Sequence, residues 1–261
     1  MASERVVLVT GTSSGIGAAV RRDLAARGWH VFGSSRRADG GDPEVLRLDV
    51  TDDGSVRDAI AAVVARTGRL DAVVNNAGVD LTGAIEETGV DEAHRLFETN
   101  VFGMHRVVRE AMPHLRASGG RIVVIGSMGG LVPAPYEGFY AASKHAVEAY
   151  VETLRFEARP HGVTASVLEP GFVRTDLRAS KQDAAVRLPE YARARRRTAR
   201  VWDVGVRFGL RPERVATAVA RMLEEPHPPI RRRVGLHASA LVTLRRVLPP
   251  AAFDAGMRLL F

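Results

Sequence analysis

The sequence predicts an α/β protein built on a doubly wound parallel sheet with helices on both faces. Short apolar strands alternate with helical stretches along the chain, which is the pattern of successive βα units. The strands are continuous apolar runs, so both faces of the sheet are expected to be buried. The 261 residues contain neither a linker nor an internal repeat, which favours a single domain, 1–261, over two domains.

The individual elements follow from composition and from the residues that end them. The predicted strands, rich in β-branched residues, lie at residues 6–10, 29–34, 45–48, 70–75, 121–125 and 163–168. Helices are predicted at residues 18–27, 55–66, 90–117 and 141–159. Gly28 closes the first of these helices, as a glycine after the last helical residue commonly does.

Two later segments depart from this alternation. Residues 176–210 are polar and Arg-rich without a clear strand, and we expect them to be an insertion over the carboxyl edge of the sheet that covers the substrate. Residues 226–261 are expected to form a C-terminal cover with an apolar-rich helix at 239–248. That helix could cover the cleft, pack on another subunit or rest on a membrane surface.

Composition excludes several classes of function. The chain has no cysteine, which rules out disulfide scaffolds, zinc ribbons and thiol catalysis. Its eight histidines show no paired ligand spacing, so we expect no metal site. Neither an 18-residue apolar run nor a signal-peptide pattern occurs, which predicts a cytoplasmic protein without an integral membrane segment and leaves peripheral membrane contact open.

The positive charge is unevenly distributed. The net charge is +7, but residues 1–173 carry −4 and residues 174–261 carry +11. The excess therefore lies in the predicted insertion and the C-terminal cover. An acidic partner, a membrane surface or water alone would suit these arginines.

A glycine-rich turn, Thr10-Gly-Thr-Ser-Ser-Gly-Ile-Gly17, joins the first predicted strand to the first predicted helix. Glycine at positions 11 and 15 lets the backbone turn tightly and approach a pyrophosphate, and Gly17 lets the helix pack close to the strand. Free N–H groups at a helix start favour a phosphate charge. The turn predicts dinucleotide binding, although a tight βα turn that binds no ligand would have the same composition.

The end of the second predicted strand indicates which dinucleotide is bound. A cofactor with a free ribose 2′-hydroxyl usually meets a carboxylate about 20 residues beyond the glycines. Here Arg36 and Arg37 occupy that place, and no carboxylate comes before Asp39. The planar guanidinium matches phosphate geometry, so the pair favours NADP(H). The alternative is that both are solvated loop charges in an Arg-rich chain.

Tyr140 and Lys144 stand four residues apart at the start of a predicted helix. Positions i and i+4 lie on one helix face, so we expect the ammonium to lie beside the phenol. A nearby cation favours the phenolate, and Lys144 is therefore expected to lower the pKa of Tyr140. The pair becomes a candidate for proton exchange near neutral pH, although a surface pair has the same spacing.

Taken in order along the chain, these features resemble the motif set of the classical short-chain dehydrogenases/reductases. The set also includes Asn75-Asn-Ala-Gly78, Asn100, Ser127 and Pro170-Gly-Phe-Val-Arg-Thr175. The resemblance covers residues 5–175 closely, and the sequence around Tyr140 is similar to the steroid- and retinol-oxidising branch. It implies a Rossmann-like fold, an oxidoreductase activity, and a homodimer or homotetramer formed through the helices at 90–117 and 141–159.

The resemblance also implies a role for each matching residue. Tyr140 would exchange a proton with the substrate oxygen, and Ser127 would donate a hydrogen bond to that oxygen. Lys144 would lower the pKa of Tyr140 and hold the nicotinamide ribose, and Asn100 would support Lys144. The cofactor would contact Gly11, Ser13, Ser14, Gly15, Ile16, Gly17, Arg36, Arg37, Asp49, Val50, Asn76, Ala77, Gly78, Tyr140, Lys144, Pro170, Gly171, Val173 and Thr175.

Apolar residues flank the candidate catalytic pair and recur in the insertion. They are Met128, Leu131, Val132, Pro133, Phe139 and Phe172, followed by Leu188, Tyr191, Trp202 and Phe208. Such residues predict an apolar cleft under a mobile lid. The leading hypothesis is an NADP(H)-dependent carbonyl reductase acting on a bulky, mostly apolar ketone or secondary alcohol.

Two other functions fit parts of the sequence. A 3-oxoacyl thioester reductase would use the arginines of 193–197 to dock an acidic carrier protein. A non-catalytic NADP-sensing or nucleic-acid-binding protein would use the basic last third as its contact surface. The intact set of four catalytic candidates argues against the second alternative, and so does the lack of aromatic residues interleaved with the arginines. We therefore expect a small-molecule substrate and no nucleic-acid partner.

Overall fold

The computed structural model describes residues 4–38, 40–175 and 181–261. Asp39 and the first five positions of the predicted insertion, 176–180, lie outside the described residues. In the described part, strands β1 to β9 are Val6–Val9, His30–Ser35, Val45–Arg47, Ala72–Asn75, Asp80–Thr82, Arg121–Ile125, Thr164–Pro170, Lys181–Asp183 and Arg231–Val234. Helices α1 to α9 are Gly15–Ala26, Asp53–Thr67, Val90–Phe97, Met104–Ser118, Gly138–Ala158, Ala192–Arg207, Pro212–Glu224, Leu236–Val247 and Pro250–Leu260.

Seven of these strands form one sheet in the order β3-β2-β1-β4-β6-β7-β9. Every neighbouring pair in it is parallel. The strand order reverses between β1 and β4, which is the switch point of a doubly wound sheet. The predicted Rossmann-like α/β fold is confirmed. Because the strands all run the same way, the carboxyl ends of β1, β4, β6 and β7 meet at one edge.

Apolar side chains build a separate core on each face of the sheet. Along β1, Val6 and Leu8 pack into one core and Val7 and Val9 into the other, because successive side chains of a strand point to opposite faces. The first core is closed by α2, α4 and α5, and the second by α1 and α7. Burial on both faces explains why the strands are continuously apolar.

Strand β9 was not predicted, because it carries three consecutive arginines instead of an apolar run. It adds to the edge of the sheet beside β7. Arg231 Nε lies 2.9 Å from Glu148 Oε2, and Arg233 Nε lies 3.6 Å from Oε2 of the fully buried Glu169. Edge strands tolerate charged residues, and here the acidic side chains of α5 and β7 neutralise them.

The predicted insertion also contains regular structure that the sequence prediction lacked. Its described part begins with β8, which pairs in parallel with β5 in a separate two-stranded sheet. The expectation of a segment without a strand is therefore wrong. Helix α6 follows and is strongly amphipathic. This helix was not predicted because arginines occupy much of it and leave few apolar residues to show a helical period.

The predicted helix at 90–117 is present as α3 and α4, joined by a π-helical segment, Glu98–Gly103. A π-helical turn is rare and often marks a functional position, and this one contains Asn100. Across the described ranges, no helix is both long and apolar enough to cross a membrane.

Leu168 tests the core beneath the carboxyl edge. Its side chain is fully buried in the core that faces α1 and α7. We expect Leu168→Ala to lower the free energy of unfolding by about 2–5 kcal/mol, because the substitution removes buried apolar contacts and leaves a cavity. The matched control is Leu259→Ala, whose side chain is 81% exposed and which should change stability by less than about 0.5 kcal/mol. Chemical denaturation measures both, and similar losses in the two variants would contradict this description of the core.

Candidate active site

One cleft opens at the carboxyl edge of the sheet, where the four strand ends meet. It holds about 1330 Å³ of space that protein atoms do not fill, its mouth included. Of the residues predicted from sequence, its wall contains Ile16, Asn76, Gly78, Ser127, Tyr140, Lys144, Pro170, Gly171, Val173 and Thr175. The structure therefore brings together residues that lie up to 159 positions apart in the chain.

The remaining predicted site residues do not line this cleft. Gly11, Ser13, Ser14, Gly15 and Gly17 form the turn after β1, and Ala77 and Asn100 lie behind the cleft wall. Arg36 and Arg37 follow β2, and Asp49 and Val50 follow β3. Strands β2 and β3 are the next strands beyond β1 in the sheet. The predicted site residues that follow them therefore lie on the same carboxyl edge as the cleft, farther from it than the glycine turn. A dinucleotide spans the edge of a doubly wound sheet in this direction.

The glycine turn has a backbone shape that demands glycine. Gly11 and Gly15 have φ angles of +70° and +58°, and a Cβ at Gly17 would lie 2.2 Å from the carbonyl oxygen of Gly11. Ser14 precedes α1 but its side chain makes no capping hydrogen bond, and the first turn of α1 holds no acidic residue. The first N–H groups of α1 are available to an anion, so the turn fits a pyrophosphate group.

Asn76 and Thr10 attach the glycine turn to the end of β4. The Asn76 Nδ2 group donates hydrogen bonds to the carbonyl oxygens of Thr10 at 2.9 Å and Gly11 at 3.0 Å. The buried Thr10 hydroxyl accepts from the N–H groups of Asn76 at 2.9 Å and Ala77 at 3.0 Å. The side chain of Asn76 therefore shapes the turn. Thr10 was not singled out from sequence, because its contacts are made 66 and 67 residues away.

Asn100 connects the π-helical segment to the loop after β4. Its Oδ1 accepts from the N–H of Val79 at 2.9 Å, and its Nδ2 donates to the Val79 carbonyl at 2.9 Å and to Ser143 Oγ at 3.2 Å. Ser143 in turn donates to the carbonyl of Tyr140 at 2.7 Å. Within the described residues, no direct hydrogen bond joins Asn100 to Lys144. Asn100 thus positions the loop after β4 and the start of α5. Its contact residues Val79 and Ser143 were not predicted from the sequence.

Tyr140 and Lys144 share one wall of the cleft, as their spacing predicts. The Lys144 Nζ atom lies 5.9 Å from the centroid of the Tyr140 ring and donates a hydrogen bond to the Ile125 carbonyl at 3.0 Å. Ser127 follows β6 on the adjoining wall, and its Oγ accepts from the N–H of Gly129 at 3.0 Å. Its hydroxyl lies close enough to act on the Tyr140 phenol electrostatically.

Burial controls the titration of this pair. Burial raises the pKa of Tyr140 above its usual range, the charges of Asp80 and Glu137 raise it further, and the Ser127 hydroxyl acts in the opposite direction. Burial lowers the pKa of Lys144 to about 8, against the opposing effect of nearby carboxylates. The charge of Lys144 is therefore not enough to bring the pKa of Tyr140 below its usual range. Loss of solvent outweighs a cation whose own charge is also disfavoured by burial.

Two acidic residues in the cleft wall had no motif to reveal them. Asp80 begins β5 two residues after Gly78, and Glu137 lies three residues before Tyr140. Burial raises the pKa of both carboxyl groups. Isolated carboxyls in a loop carry no signal in one sequence, so only the fold shows that they face the same cleft.

The mouth of the cleft is formed by the insertion and the C-terminal segment. Its described lining there consists of Val201, Trp202, Leu241, Met257, Leu260 and Phe261. Phe172 lies between the rings of Trp202 and His237, with centroid distances of 4.8 Å and 5.6 Å. The Phe172 N–H donates to His237 Nε2 at 2.8 Å, and burial lowers the pKa of His237, which favours the neutral, accepting ring.

The apolar lining was predicted only in part. Met128, Val132, Pro133, Phe172 and Trp202 line the cleft. The other predicted lining residues, which are Leu131, Phe139, Leu188, Tyr191 and Phe208, lie outside the wall. Phe208 is 72% exposed. Residue type alone does not show which side of a helix or turn faces the cleft.

The switch point of the sheet and the turn beside it are those of nucleotide-binding oxidoreductases of the Rossmann-like class. Comparison with known proteins narrows this class to a family. Residues 5–185 match the model of the short chain dehydrogenase family, and the chain belongs to that family. The fold of this family binds nicotinamide cofactors.

Relatives extend the similarity over nearly the whole chain. The 3-ketodihydrosphingosine reductase of Bacteroides thetaiotaomicron is 33% identical over 236 residues, 88% of each chain. Retinol dehydrogenase 8 of Homo sapiens is 30% identical over 272 residues, 94% of this chain and 86% of the relative. A solved short-chain dehydrogenase from Streptomyces avermitilis superposes with a TM-score of 0.87 at 33% identity, covering 99% of this chain and 96% of the other. The expected relation to the retinol-oxidising branch is confirmed.

Removal of the Asn76 side chain tests the anchoring of the glycine turn. We expect Asn76→Ala to weaken nicotinamide dinucleotide binding about tenfold, since it removes two hydrogen bonds of about 0.5–1.5 kcal/mol each. Fluorescence titration measures the affinity. The matched control is Asn75→Ala, because Asn75 Nδ2 donates to the Met104 carbonyl at 3.3 Å, toward α4 and not toward the turn. Equal affinities in the two variants would contradict the role given to Asn76.

Proposed function

We propose that the protein is an NADP(H)-dependent oxidoreductase that interconverts a ketone and a secondary alcohol on a bulky, mostly apolar substrate, mainly as a carbonyl reductase. The observation that carries this proposal is the placement of Ser127, Tyr140 and Lys144 around an apolar cleft that starts beside the glycine turn. The bound nicotinamide supplies or accepts the hydride. The chain binds and orients both reactants and moves the proton.

Tyr140 is the proposed general acid/base. Burial keeps its phenol protonated, which is the form that donates a proton to a carbonyl oxygen. In the reverse direction the same oxygen takes the proton of the alcohol. Ser127 donates a hydrogen bond to the substrate oxygen while negative charge develops there.

Lys144 stabilises the transient phenolate and holds the nicotinamide ribose. With its pKa lowered to about 8, it remains mainly an ammonium at neutral pH. Asn100 is a positioning residue in this scheme, because its amide binds the Val79 backbone and Ser143.

The proposed cofactor contacts follow the carboxyl edge. The turn residues Gly11 to Gly17 hold the pyrophosphate, Asp49 and Val50 hold the adenine, and 170–175 hold the carboxamide. Arg36 and Arg37 are exposed after β2, and neither guanidinium is paired with another side chain in the described ranges. Both are available to a ribose 2′-phosphate, which supports NADP(H) over NAD(H).

The cleft mouth supports a substrate cover within a single domain. Trp202 of the insertion and Leu241 and Phe261 of the C-terminal segment line it, so 176–210 and 226–261 would close over an apolar substrate. A retinol dehydrogenase and a 3-ketodihydrosphingosine reductase among the relatives favour an alcohol or ketone substrate.

The arginines of 193–197 give little support to docking of an acidic carrier protein. Arg195 forms an ion pair with Glu87, which is 1% exposed. Arg197 donates to the Leu259 carbonyl at 2.6 Å. Two of the four arginines are thus engaged within the protein, which favours a free small-molecule substrate over a carrier-bound thioester.

Exposed aromatic side chains support a homodimer or homotetramer. Phe102 beside α4 is 52% exposed and Phe156 on α5 is 70% exposed. Large exposed apolar side chains on neighbouring helices suit a contact between subunits. We place this assembly in the cytoplasm.

Tyr140→Phe tests the proton donor. We expect kcat to fall at least about 100-fold with NADPH affinity unchanged, because the ring stays and only the hydroxyl is removed. Tyr150→Phe on the same helix is the matched control, since Tyr150 Oη pairs with His105 Nδ1 at 2.9 Å, away from the cleft. Rates come from the absorbance of NADPH. Retained activity in Tyr140→Phe would remove the proposed acid.

Replacement of Arg36 by Asp together with Arg37 by Ala tests cofactor choice. We expect the kcat/KM ratio of NADPH to NADH to fall at least about tenfold, because a guanidinium no longer meets the 2′-phosphate and a carboxylate is offered to a 2′-hydroxyl. Arg116→Asp, an exposed position in the last turn of α4, changes charge at the opposite edge of the sheet, where β6 begins, and should leave the ratio unchanged. An unaltered ratio in the double variant would show that the 2′-phosphate is held elsewhere.

A further inference from the structure

Asp80 and Glu137 lie together on one side of the cleft, beside Tyr140. Strand β5, which begins at Asp80, runs along the segment that leads into α5. The Gly83 N–H donates to the Tyr136 carbonyl at 2.8 Å, and Gly83 pairs with Glu137 as a β-bridge. Both carboxyl groups line the cleft, and the charge of each acts on Tyr140.

Both carboxyl groups have an oxygen without a partner. Asp80 Oδ1 and Glu137 Oε1 are buried and have no hydrogen-bond partner among the described residues. Glu137 is only 3% exposed and occupies the residue before α5, yet its side chain does not cap that helix. Buried acceptors are normally satisfied, so two such oxygens in one cleft wall suggest a ligand that supplies donors.

The neighbouring cations do not satisfy these oxygens. The Lys144 ammonium donates to the Ile125 carbonyl. Lys181 stands opposite Asp80 in the β5–β8 ladder, and its charge acts on both carboxyl groups without a hydrogen bond to either unpartnered oxygen. The two oxygens therefore lack a donor in the part of the chain that the structure describes, and both belong to carboxyl groups of residues that line the cleft.

An ammonium group would supply the hydrogen-bond donors that the two carboxyl oxygens lack. It carries three N–H donors and one positive charge, so it can bind two carboxyl oxygens at once. Burial raises the pKa of both acids, and a cation between them would favour their ionised form. Charge-assisted hydrogen bonds are roughly twice as strong as neutral ones.

We propose that Asp80 and Glu137 bind an ammonium group of the substrate, on a carbon close to the reacting one, and that the substrate class is long-chain amino ketones and the matching amino alcohols. This inference rests on the proposed function, because Tyr140 marks the reacting carbon. The apolar chain of the substrate contacts apolar residues of the cleft lining, among them Val132, Met257 and Leu260.

A matched pair of alcohols tests the subsite by turnover. The probes are 2-aminotetradecan-3-ol and 2-methyltetradecan-3-ol, in which a methyl group replaces the ammonium, each oxidised with NADP⁺. We expect the wild-type protein to prefer the amino alcohol at least about tenfold in kcat/KM. Glu137→Gln, which keeps the size of the side chain, should lower kcat/KM for the amino alcohol about tenfold more than for the methyl alcohol, whose rate reports any effect of the lost charge on Tyr140 alone.

Two further variants complete the comparison. Asp80→Asn removes the other carboxylate and should also lower the preference, which covers the case in which Glu137→Gln fails to fold. Glu190→Gln removes the same charge from an exposed position and should behave as the wild type. Equal turnover of both alcohols by the wild type, or an unchanged preference in both cleft variants, would overturn the ammonium subsite and leave the proposed function intact.

Calorimetry gives a second measurement that does not depend on turnover. Octylamine and octan-1-ol are titrated into the NADP⁺ complex. We expect octylamine to bind the wild type at least about tenfold more tightly than Glu137→Gln, and octan-1-ol to bind both equally. If neither alcohol is oxidised but octylamine binding depends on Glu137, the proposed function fails and the subsite stands. Octylamine affinity that is the same in both proteins would overturn the subsite.

Discussion

The structure depends on one constraint, which is that all seven strands of the main sheet run in the same direction. Parallel strands need helical crossovers, and these cover both faces of the sheet with apolar side chains. The same direction also places every strand end on one edge, so the loops after β1, β4, β6 and β7 meet although they are distant in the chain. The side-chain hydrogen bonds of Thr10 and Asn76 then join the first two of these loops at the switch point.

Burial in this edge cleft sets the electrostatics of its groups. A phenol, an ammonium and two carboxyls lie in the same wall, and removal of water disfavours the charged form of each. The pKa of Tyr140 rises and that of Lys144 falls. The neutral phenol suits proton donation to a carbonyl, whereas the buried acids suit a ligand that brings a positive charge.

The basic last third of the chain is partly neutralised inside the fold. Arg231 and Arg233 meet Glu148 and Glu169, and Arg195 meets Glu87. Each of these acids is buried and lies outside the basic segment, so the arginines attach β9 and α6 to the rest of the molecule. Net charge alone had suggested an acidic partner, but these three arginines have a structural role.

The sequence by itself determined the alternation of strands and helices, the glycine turn and the Tyr140/Lys144 pair, because periodicity, backbone freedom and i, i+4 spacing are local properties. It left out β9 and β8, which form through pairing with distant strands, and it did not show that burial raises the pKa of Tyr140. Thr10, Ser143, Asp80 and Glu137 were also missed. Only the tertiary structure decides these features, because burial and contacts between distant segments arise when the chain folds and have no signature in local composition.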